Sequence, residues 1–156
     1  MSEYLVWLLY GVSSLALLCF IYFQVKKRIK KSNPSSFSPS QPVLRTVHTD
    51  SGVQSDILQA GQGPGAKKND SLTVHYTAWL STGEKVDSSY DRGRSMTFVL
   101  GRGEVIDGWD HSLFGIQAGE KRKVTVPASL AYGKKGHSKI PPNATVIFEI
   151  ELIKLS

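Results

Sequence analysis

Two segments of alternating hydrophobicity constrain the fold of this chain more than any other feature. Residues 72–80 read LTVHYTAWL, and residues 144–155 read ATVIFEIELIKL. Apolar side chains at every second position are typical of a strand with one buried face. The buried faces predicted here are Leu72, Val74, Tyr76, Ala78 and Leu80 in the first segment, and Val146, Phe148, Ile150 and Leu152 in the second. Residues 53–59, 96–101 and 120–127 are predicted as shorter strands.

One segment has helical spacing instead. In VIDGWDHSLFGIQAGE, apolar residues recur at Ile106, Trp109, Leu113 and Ile116, on one face of a helix of about three turns. We expect Asp107 to cap its start and Gly119 to end it. So short a helix is not stable alone and must pack on the sheet. The predicted fold class is therefore α+β: an antiparallel β-sheet with one short α-helix across its inner face.

A long uncharged run precedes this region. Residues 4–25, YLVWLLYGVSSLALLCFIYFQV, contain no charged side chain and have aromatic residues toward both ends. A helix of 22 residues spans a hydrocarbon core of about 30 Å. A cleaved signal peptide is the alternative, but Glu3 is the only charge before the run and no A-x-A-like site follows it. We therefore predict a single transmembrane signal anchor.

The net charge is concentrated beside this run. Residues 26–31, KKRIKK, supply five positive charges, whereas the whole chain has a net charge of +6. No base-stacking aromatic residues are interleaved with them, so we predict no nucleic-acid partner. The basic cluster is expected to attract anionic headgroups, which makes the lipid bilayer a partner of residues 4–31. The positive-inside rule places the C-terminal domain on the cytoplasmic side, with the periplasmic or lumenal side as the alternative.

The remaining chain divides into a linker and a domain. Residues 32–49 are rich in Ser and Pro and are predicted to be a semi-extended linker. Residues 50–156 form the predicted domain. Cys19, the only cysteine, lies within the predicted anchor, so no intramolecular disulfide can form.

Motifs for covalent or metal chemistry are missing from the sequence. There is no GxSxG, HExxH or GxxxxGK[ST] motif, and the histidines lack the spacing of metal ligands. We therefore predict no metal site. Aromatic and aliphatic residues nevertheless collect at loop edges and on the helix, where they can form either a pocket or simply part of the core. They are Tyr76, Met96, Val105, Ile106, Trp109, Tyr132, Ile140 and Phe148.

Five stretches of the domain decide whether these residues form a pocket or simply part of the core. VHYTAWL, STGEKVDSSYDRG, FVLGRGEVIDGWD, AYGKKGH and IPPNATVIFEIELIKL resemble FKBP-type peptidyl-prolyl cis-trans isomerases in order and spacing. The resemblance covers residues 53–156 and implies the family fold, a sheet wrapped around a short helix. It also implies catalysis of rotation about X-Pro bonds in client proteins, affinity for macrolide inhibitors, and no cofactor.

The resemblance also implies a pocket. Trp109 would form its floor, and the segment 131–142 would form a flap over it. The walls would be Tyr76, Val105, Ile106, Ile140 and Phe148, and the polar rim would be Asp87, Tyr132 and His137. Asp87, Tyr132, Tyr76 and Trp109 are the predicted catalytic residues, and the others bind substrate.

Three features depart from the common family pattern. Val86 and Met96 stand where aromatic residues are usual, and the flap is about one residue shorter than in much of the family. These two side chains are also placed among the substrate-binding residues. Two other functions stay open: a non-catalytic proline-peptide-binding module, and a membrane-tethered chaperone with its important contacts outside the pocket.

Overall fold

The structure, a computed structural model of the protein, describes residues 42–156. The predicted anchor (4–25), the basic cluster (26–31) and residues 32–41 of the predicted linker lie outside the described residues. No helix in the part of the chain from residue 42 onward is long and apolar enough to cross a membrane.

Residues 42–156 contain seven β-strands, one α-helix and one 3-10 helix. The strands are β1 (Arg45–His48), β2 (Gln54–Gln59), β3 (Ser71–Leu80), β4 (Lys85–Ser88), β5 (Met96–Val99), β6 (Lys121–Val126) and β7 (Val146–Leu155). The α-helix, α1, is Asp107–Ser112, and the 3-10 helix is Ala128–Leu130. All five predicted strands are confirmed as β2, β3, β5, β6 and β7, with small differences at their ends.

The strands form one antiparallel sheet with the order β1-β2-β6-β7-β3-β4. β5 also pairs with β3, along the half of β3 that β4 leaves free. β3 and β7 are paired along most of their length, from Leu72 opposite Leu155 to Leu80 opposite Val146. Every side chain predicted for the buried faces of these two strands is buried, which confirms the alternation.

Two strands are not predicted by the sequence pattern. β1 lies within the predicted linker 32–49, so the assignment of residues 45–48 to a tether is wrong. It joins the sheet through backbone pairing with β2, with Arg45 opposite Ile57 and His48 opposite Gln54, although all four of its residues are exposed. The sheet therefore begins before the predicted boundary at residue 50. β4 has only four residues and pairs with the end of β3.

Helix α1 is shorter than the predicted three turns and ends at Ser112. Its N-cap is Ile106, and no side chain caps it, so the predicted capping role of Asp107 is wrong. Gly119 does not end it either, because Leu113 is the C-cap. Arg122 on β6 donates from Nη1 to the carbonyl oxygens of Ser112 (2.6 Å) and Phe114 (3.2 Å), which satisfies acceptors that a helix end leaves free.

The core lies between the inner face of the sheet and α1. Trp109, Leu113 and Ile116 are buried there, as their spacing predicts, although Leu113 and Ile116 follow the helix. Gly108 allows the close approach of α1 to β6, since a Cβ at this position would lie 2.9 Å from Val126 Cγ2 and 3.2 Å from the Leu130 carbonyl oxygen.

Candidate functional site

A cavity of about 360 Å³ opens between α1 and the neighbouring strands. The side chains of three buried aromatic residues, Tyr76, Trp109 and Phe148, form its deep part. Partly buried side chains, together with the exposed Glu104, surround its mouth. The mouth residues are Met96, Glu104, Val105, Ile106 and Tyr132. A cavity of this size and lining is suited to a small apolar group.

Trp109 has a fixed orientation at the base of this cavity. Its ring meets those of Tyr76 and Phe148 edge-on, with centroids 5.2 and 5.3 Å away and interplanar angles of 83° and 86°. Phe98 packs against it at 5.7 Å and 51° from within the core. Edge-to-face contacts of this kind contribute beyond simple burial. The side chain is 3% exposed, and its Nε1 has no hydrogen-bond partner among residues 42–156.

A polar network lies on one wall. The Tyr76 hydroxyl donates to Asp87 Oδ2 at 2.6 Å and accepts a hydrogen bond from Arg92 Nη2 at 2.8 Å. Arg92 also donates from Nη1 to Asp87 Oδ1, which makes the two residues an ion pair. Burial, followed by the hydrogen bond to Asp87, raises the pKa of Tyr76 above its ordinary value of 10.0. Tyr76 therefore stays protonated and oriented at neutral pH.

The flap, residues 131–142, closes another side of the cavity. Tyr132 lines the cavity, and the ring of His137 stacks on it with centroids 5.5 Å apart and planes 13° apart. Burial and the negative charge of Asp87 raise the pKa of Tyr132, so its hydroxyl remains a donor. The Tyr132 hydroxyl forms no hydrogen bond with any of the described residues. The ring is held by packing against the core and by stacking on His137.

The structure brings most of the predicted site residues together. Tyr76, Met96, Val105, Ile106, Trp109, Tyr132 and Phe148 line the cavity, and Asp87 is bonded to one of them. Three predicted residues are not in its lining. Val86 is partly buried against the core, the flap residue Ile140 is buried in the core, and His137 is exposed and stacks on Tyr132.

Two residues of the site were not predicted. Arg92 joins the network through a turn that follows β4, and Glu104 lines the mouth while its Oε2 accepts from the Val99 N–H at 3.0 Å. Neither spacing matches a recognisable motif. The quoted stretch STGEKVDSSYDRG contains Arg92 within reach of Asp87, and an opposite charge near a partly buried carboxylate was the one available signal.

The cavity contains no nucleophile activated by a neighbouring base. No group of three or more His, Cys, Asp or Glu side chains within residues 42–156 is arranged to hold a metal ion. The arrangement instead combines a rigid aromatic base, apolar walls and oriented hydroxyl groups at the rim. It defines a class of α+β domain whose aromatic-lined cavity has hydroxyl groups at its rim.

Comparisons with known proteins agree with this class. A family model described as FKBP-type peptidyl-prolyl cis-trans isomerase matches residues 63–153. The chain is 50% identical over 99 residues to the FK506-binding protein of Neisseria meningitidis serogroup A / serotype 4A, which covers 63% of this chain and 91% of that protein. It is 46% identical over 104 residues to FK506-binding protein 1A of Neurospora crassa, covering 65% and 87% of the two chains.

Solved structures give the same answer. The crystal structure of AtFKBP13 superposes with a TM-score of 0.65 and 36% identity, over 72% of this chain and 99% of that one. FkpA from Escherichia coli superposes with a TM-score of 0.66 and 32% identity, over 85% and 56% of the two chains. The chain belongs to the FKBP-type peptidyl-prolyl cis-trans isomerases. It is therefore an enzyme that catalyses cis–trans isomerisation of prolyl peptide bonds.

Proposed function

We propose that this isomerase acts on X-Pro bonds of client proteins close to a membrane, by a non-covalent mechanism in the cavity around Trp109. The observation that carries the proposal is the aromatic base of that cavity. Trp109 contacts Tyr76 and Phe148 edge-to-face and lines a cavity of about 360 Å³. A prolyl ring is small enough to enter this space.

The reaction needs no bond to be made or broken. An X-Pro amide prefers trans by only about 0.5–1 kcal/mol, but the barrier of about 18–20 kcal/mol arises from the double-bond character of the C–N bond. A catalyst must therefore bind the twisted amide more tightly than the planar one. The planar amide is the more dipolar form, so an apolar cavity that excludes water weakens the hydration that stabilises it.

Each residue of the site has a proposed role. Trp109 receives the prolyl ring, and Val105, Phe148 and Met96 enclose it. The Tyr132 hydroxyl and the Ile106 N–H donate to carbonyl oxygens of the bound peptide. Ile106 precedes α1 with an extended backbone (φ −61°, ψ 146°), so its N–H does not belong to the hydrogen-bond ladder of the helix.

Asp87 has an electrostatic role in this proposal. Its carboxylate is held by Tyr76 and Arg92 at the wall of the cavity, and its negative charge raises the pKa of Tyr132. It therefore fixes the orientation of the polar network and lies next to the carbonyl that rotates. No step transfers a proton, so the rate should vary little with pH while the fold is intact.

A proline-limited refolding assay with the full chain in detergent tests this function. Uncatalysed isomerisation takes tens of seconds, so acceleration is easily measured. We expect Asp87→Ala and Tyr132→Phe to lower kcat/KM. Tyr90→Phe is the matched control, because it also removes one hydroxyl. This hydroxyl donates to Glu151 Oε2 at 2.8 Å, and Tyr90 does not line the cavity. If Asp87→Ala and Tyr132→Phe both leave the rate unchanged, the polar roles are wrong.

The membrane part of the proposal rests on the sequence of residues 4–31. The uncharged run would anchor the chain, and the basic residues after it favour a cytoplasmic domain. Anchoring raises the effective concentration of membrane-associated clients. External protease applied to sealed spheroplasts should leave the domain intact and should digest it after lysis. Digestion before lysis would place the domain on the periplasmic or lumenal side.

Macrolide binding is proposed on the names of the relatives, which are FK506-binding proteins. A macrolide that fills the cavity should inhibit the refolding reaction by competing with the peptide. Met96 lines the cavity, and its flexible side chain would hold a prolyl ring less firmly than an aromatic residue at this position. Met96→Phe should therefore bind the same X-Pro peptide more tightly.

A further inference from the structure

The flap is built from two consecutive tight turns. In the first, the Gly136 N–H donates to the Tyr132 carbonyl oxygen at 3.2 Å, so residues 134 and 135 lie at the tip. In the second, His137 and Ile140 exchange backbone hydrogen bonds of 2.9 and 2.8 Å, so residues 138 and 139 lie at the tip. The backbone of the flap is thus fixed at both turns.

The two turns are also packed tightly against each other. Gly136 has φ +67°, and a Cβ there would lie 2.9 Å from the Pro141 carbonyl carbon and 3.0 Å from Pro142 N. The base of the flap is closed by a hydrogen bond of 2.9 Å from the Asn143 N–H to the Gly133 carbonyl oxygen. The backbone at the two tips is therefore held close to Tyr132, which lines the cavity.

Three lysines occupy these tips. Lys134 and Lys135 lie on the first turn and Lys139 on the second, and all three are exposed. None of their ammonium groups forms an ion pair with a carboxylate of residues 42–156. They are three uncompensated positive charges beside Tyr132, a residue that lines the cavity.

The other charges around the mouth do not cancel them. Asp87 is paired with Arg92, and Asp91 with Lys85. Glu104 and Asp107 are exposed, but they belong to the segment around the start of α1, which supplies a different side of the mouth. The mouth therefore has a basic flap on one side and an acidic segment on another.

We propose that the three lysines of the flap select clients with an acidic side chain next to the X-Pro bond, on the side of the peptide that runs beneath the flap. This inference rests on the proposed function, since the peptide must occupy the cavity for its neighbouring residues to meet the flap. The acidic segment at Glu104 and Asp107 disfavours the same side chain at the opposite end of the peptide. Charge thus determines both the client class and the direction in which the client binds.

The expected effect follows from the exposure of the lysines. An ion pair at an exposed site is worth at most about a fivefold change in an equilibrium constant. With three lysines sharing one carboxylate, we expect about a 3- to 10-fold gain in kcat/KM at low salt. Salt should remove the gain, because the screening length falls from about 30 Å at 0.01 M to about 3 Å at 1 M.

The experiment uses the full chain in an uncharged detergent and matched pairs of Leu-Pro peptides. Each pair differs only by Glu or Gln, placed either before or after the Leu-Pro unit. We expect Glu to raise kcat/KM over Gln at one of the two placements and to lower it or leave it unchanged at the other. The triple variant Lys134→Gln, Lys135→Gln, Lys139→Gln should bring the favourable ratio close to one.

A second triple variant separates local from overall charge. Arg45→Gln, Lys67→Gln, Lys154→Gln removes the same number of exposed positive charges at positions that do not line the cavity. It should retain the wild-type ratio. Isomerisation of the Gln peptides by the wild-type chain reports the proposed function independently, so failure of that function is distinguishable from failure of the charge selection.

Three results would overturn the proposal. The first is equal kcat/KM for Glu and Gln peptides at both placements while the Gln peptides are turned over. The second is a preference that persists in the flap variant or disappears in the control variant. The third is equal turnover of the Glu and Gln peptides, together with inhibition of the wild-type chain, but not of the flap variant, by anionic lipid micelles. That result would make the flap a lipid-binding surface instead.

Discussion

The buried ion pair at the end of α1 provides the sharpest test of how the fold supports the cavity. Arg122 Nε donates to Glu120 Oε1 at 2.5 Å, and the two side chains are only 9% and 5% exposed. The same guanidinium binds the carbonyl oxygens of Ser112 and Phe114, and the Gln117 N–H donates to Glu120 Oε2 at 3.0 Å. Arg122→Met would remove all of the contacts made by the guanidinium while keeping much of its volume.

The loss in the free energy of unfolding depends on the unpaired carboxylate of Glu120 that Arg122→Met leaves in the core. Breaking a buried pair costs about 3–5 kcal/mol, because the remaining charge is desolvated without compensation. A domain is stable by only about 5–15 kcal/mol, so Arg122→Met should remove a large part of the stability. Arg122→Met combined with Glu120→Gln should recover more than 1 kcal/mol, as expected for residues that are coupled in one network.

Urea unfolding followed by tryptophan fluorescence measures these differences. With a slope of about 1–3 kcal/mol per molar urea, Arg122→Met should lower the midpoint by roughly 2 M. Lys121→Met is the matched control on the same strand, because its ion pairs with Glu149 (3.6 Å) and Glu151 (3.5 Å) are partly exposed. It should cost at most about 1 kcal/mol. A cost for Arg122→Met as small as that of the control would refute the reasoning.

Three further predictions concern the cavity and its support. Gly108→Ala should cost about 1–3 kcal/mol in urea unfolding, because its Cβ would collide with Val126; a neutral effect would contradict the close packing of α1. Burial raises the pKa of Tyr76 and Tyr132 above 10.0, so their contribution to stability is complete below about pH 10 and is lost as pH rises further. The variant Tyr76→Phe, Tyr132→Phe should lose less stability than the wild type between about pH 9 and pH 11.5. An equal loss of stability in the variant and the wild type would contradict this. Trp109→Ala should abolish isomerase activity and cost about 3–5 kcal/mol, whereas Trp109→Phe should retain measurable activity in the same refolding assay.

The long strands were predictable because their burial follows the sequence period. β3 and β7 have ten residues each, and every second side chain enters the core, in β7 as far as Leu152. β1 and β4 have four residues each and carry no such signal, since β1 is exposed throughout and β4 is only partly buried. Their place in the sheet depends on backbone pairing with β2 and β3, which hydrophobic spacing does not record.

The length of α1 was overestimated for a physical reason. Leu113 and Ile116 continue the helical spacing and are fully buried, but the chain leaves the helix after Ser112 and reaches the core by a turn. The contacts that stabilise this ending come from Arg122, which lies on a different element. A pattern confined to one segment cannot show where a distant side chain terminates it.

The site was predictable to a similar extent. Pattern alone could not decide whether the apolar residues around Trp109 formed a pocket or a core, and the family resemblance was needed to favour the pocket. Arg92 was missed because its partner Tyr76 lies on β3, and only the fold brings the two together. Ile140 and Val86 were placed in the pocket by resemblance, but here they pack against the core instead of lining the cavity.

Trp109 belongs to the core and to the site at once, and this has a consequence for every experiment on the cavity. One side of its ring packs on Phe98, while Tyr76 and Phe148 hold it edge-on at the base of the cavity. A substitution that loosens the core therefore also tilts the surface on which a prolyl ring would lie. Loss of activity identifies a catalytic role only where stability is retained, as expected for Tyr132→Phe, whose hydroxyl has no protein partner to lose within residues 42–156. Substitutions at the rim, rather than at the aromatic base, can therefore distinguish an effect on catalysis from an effect on stability.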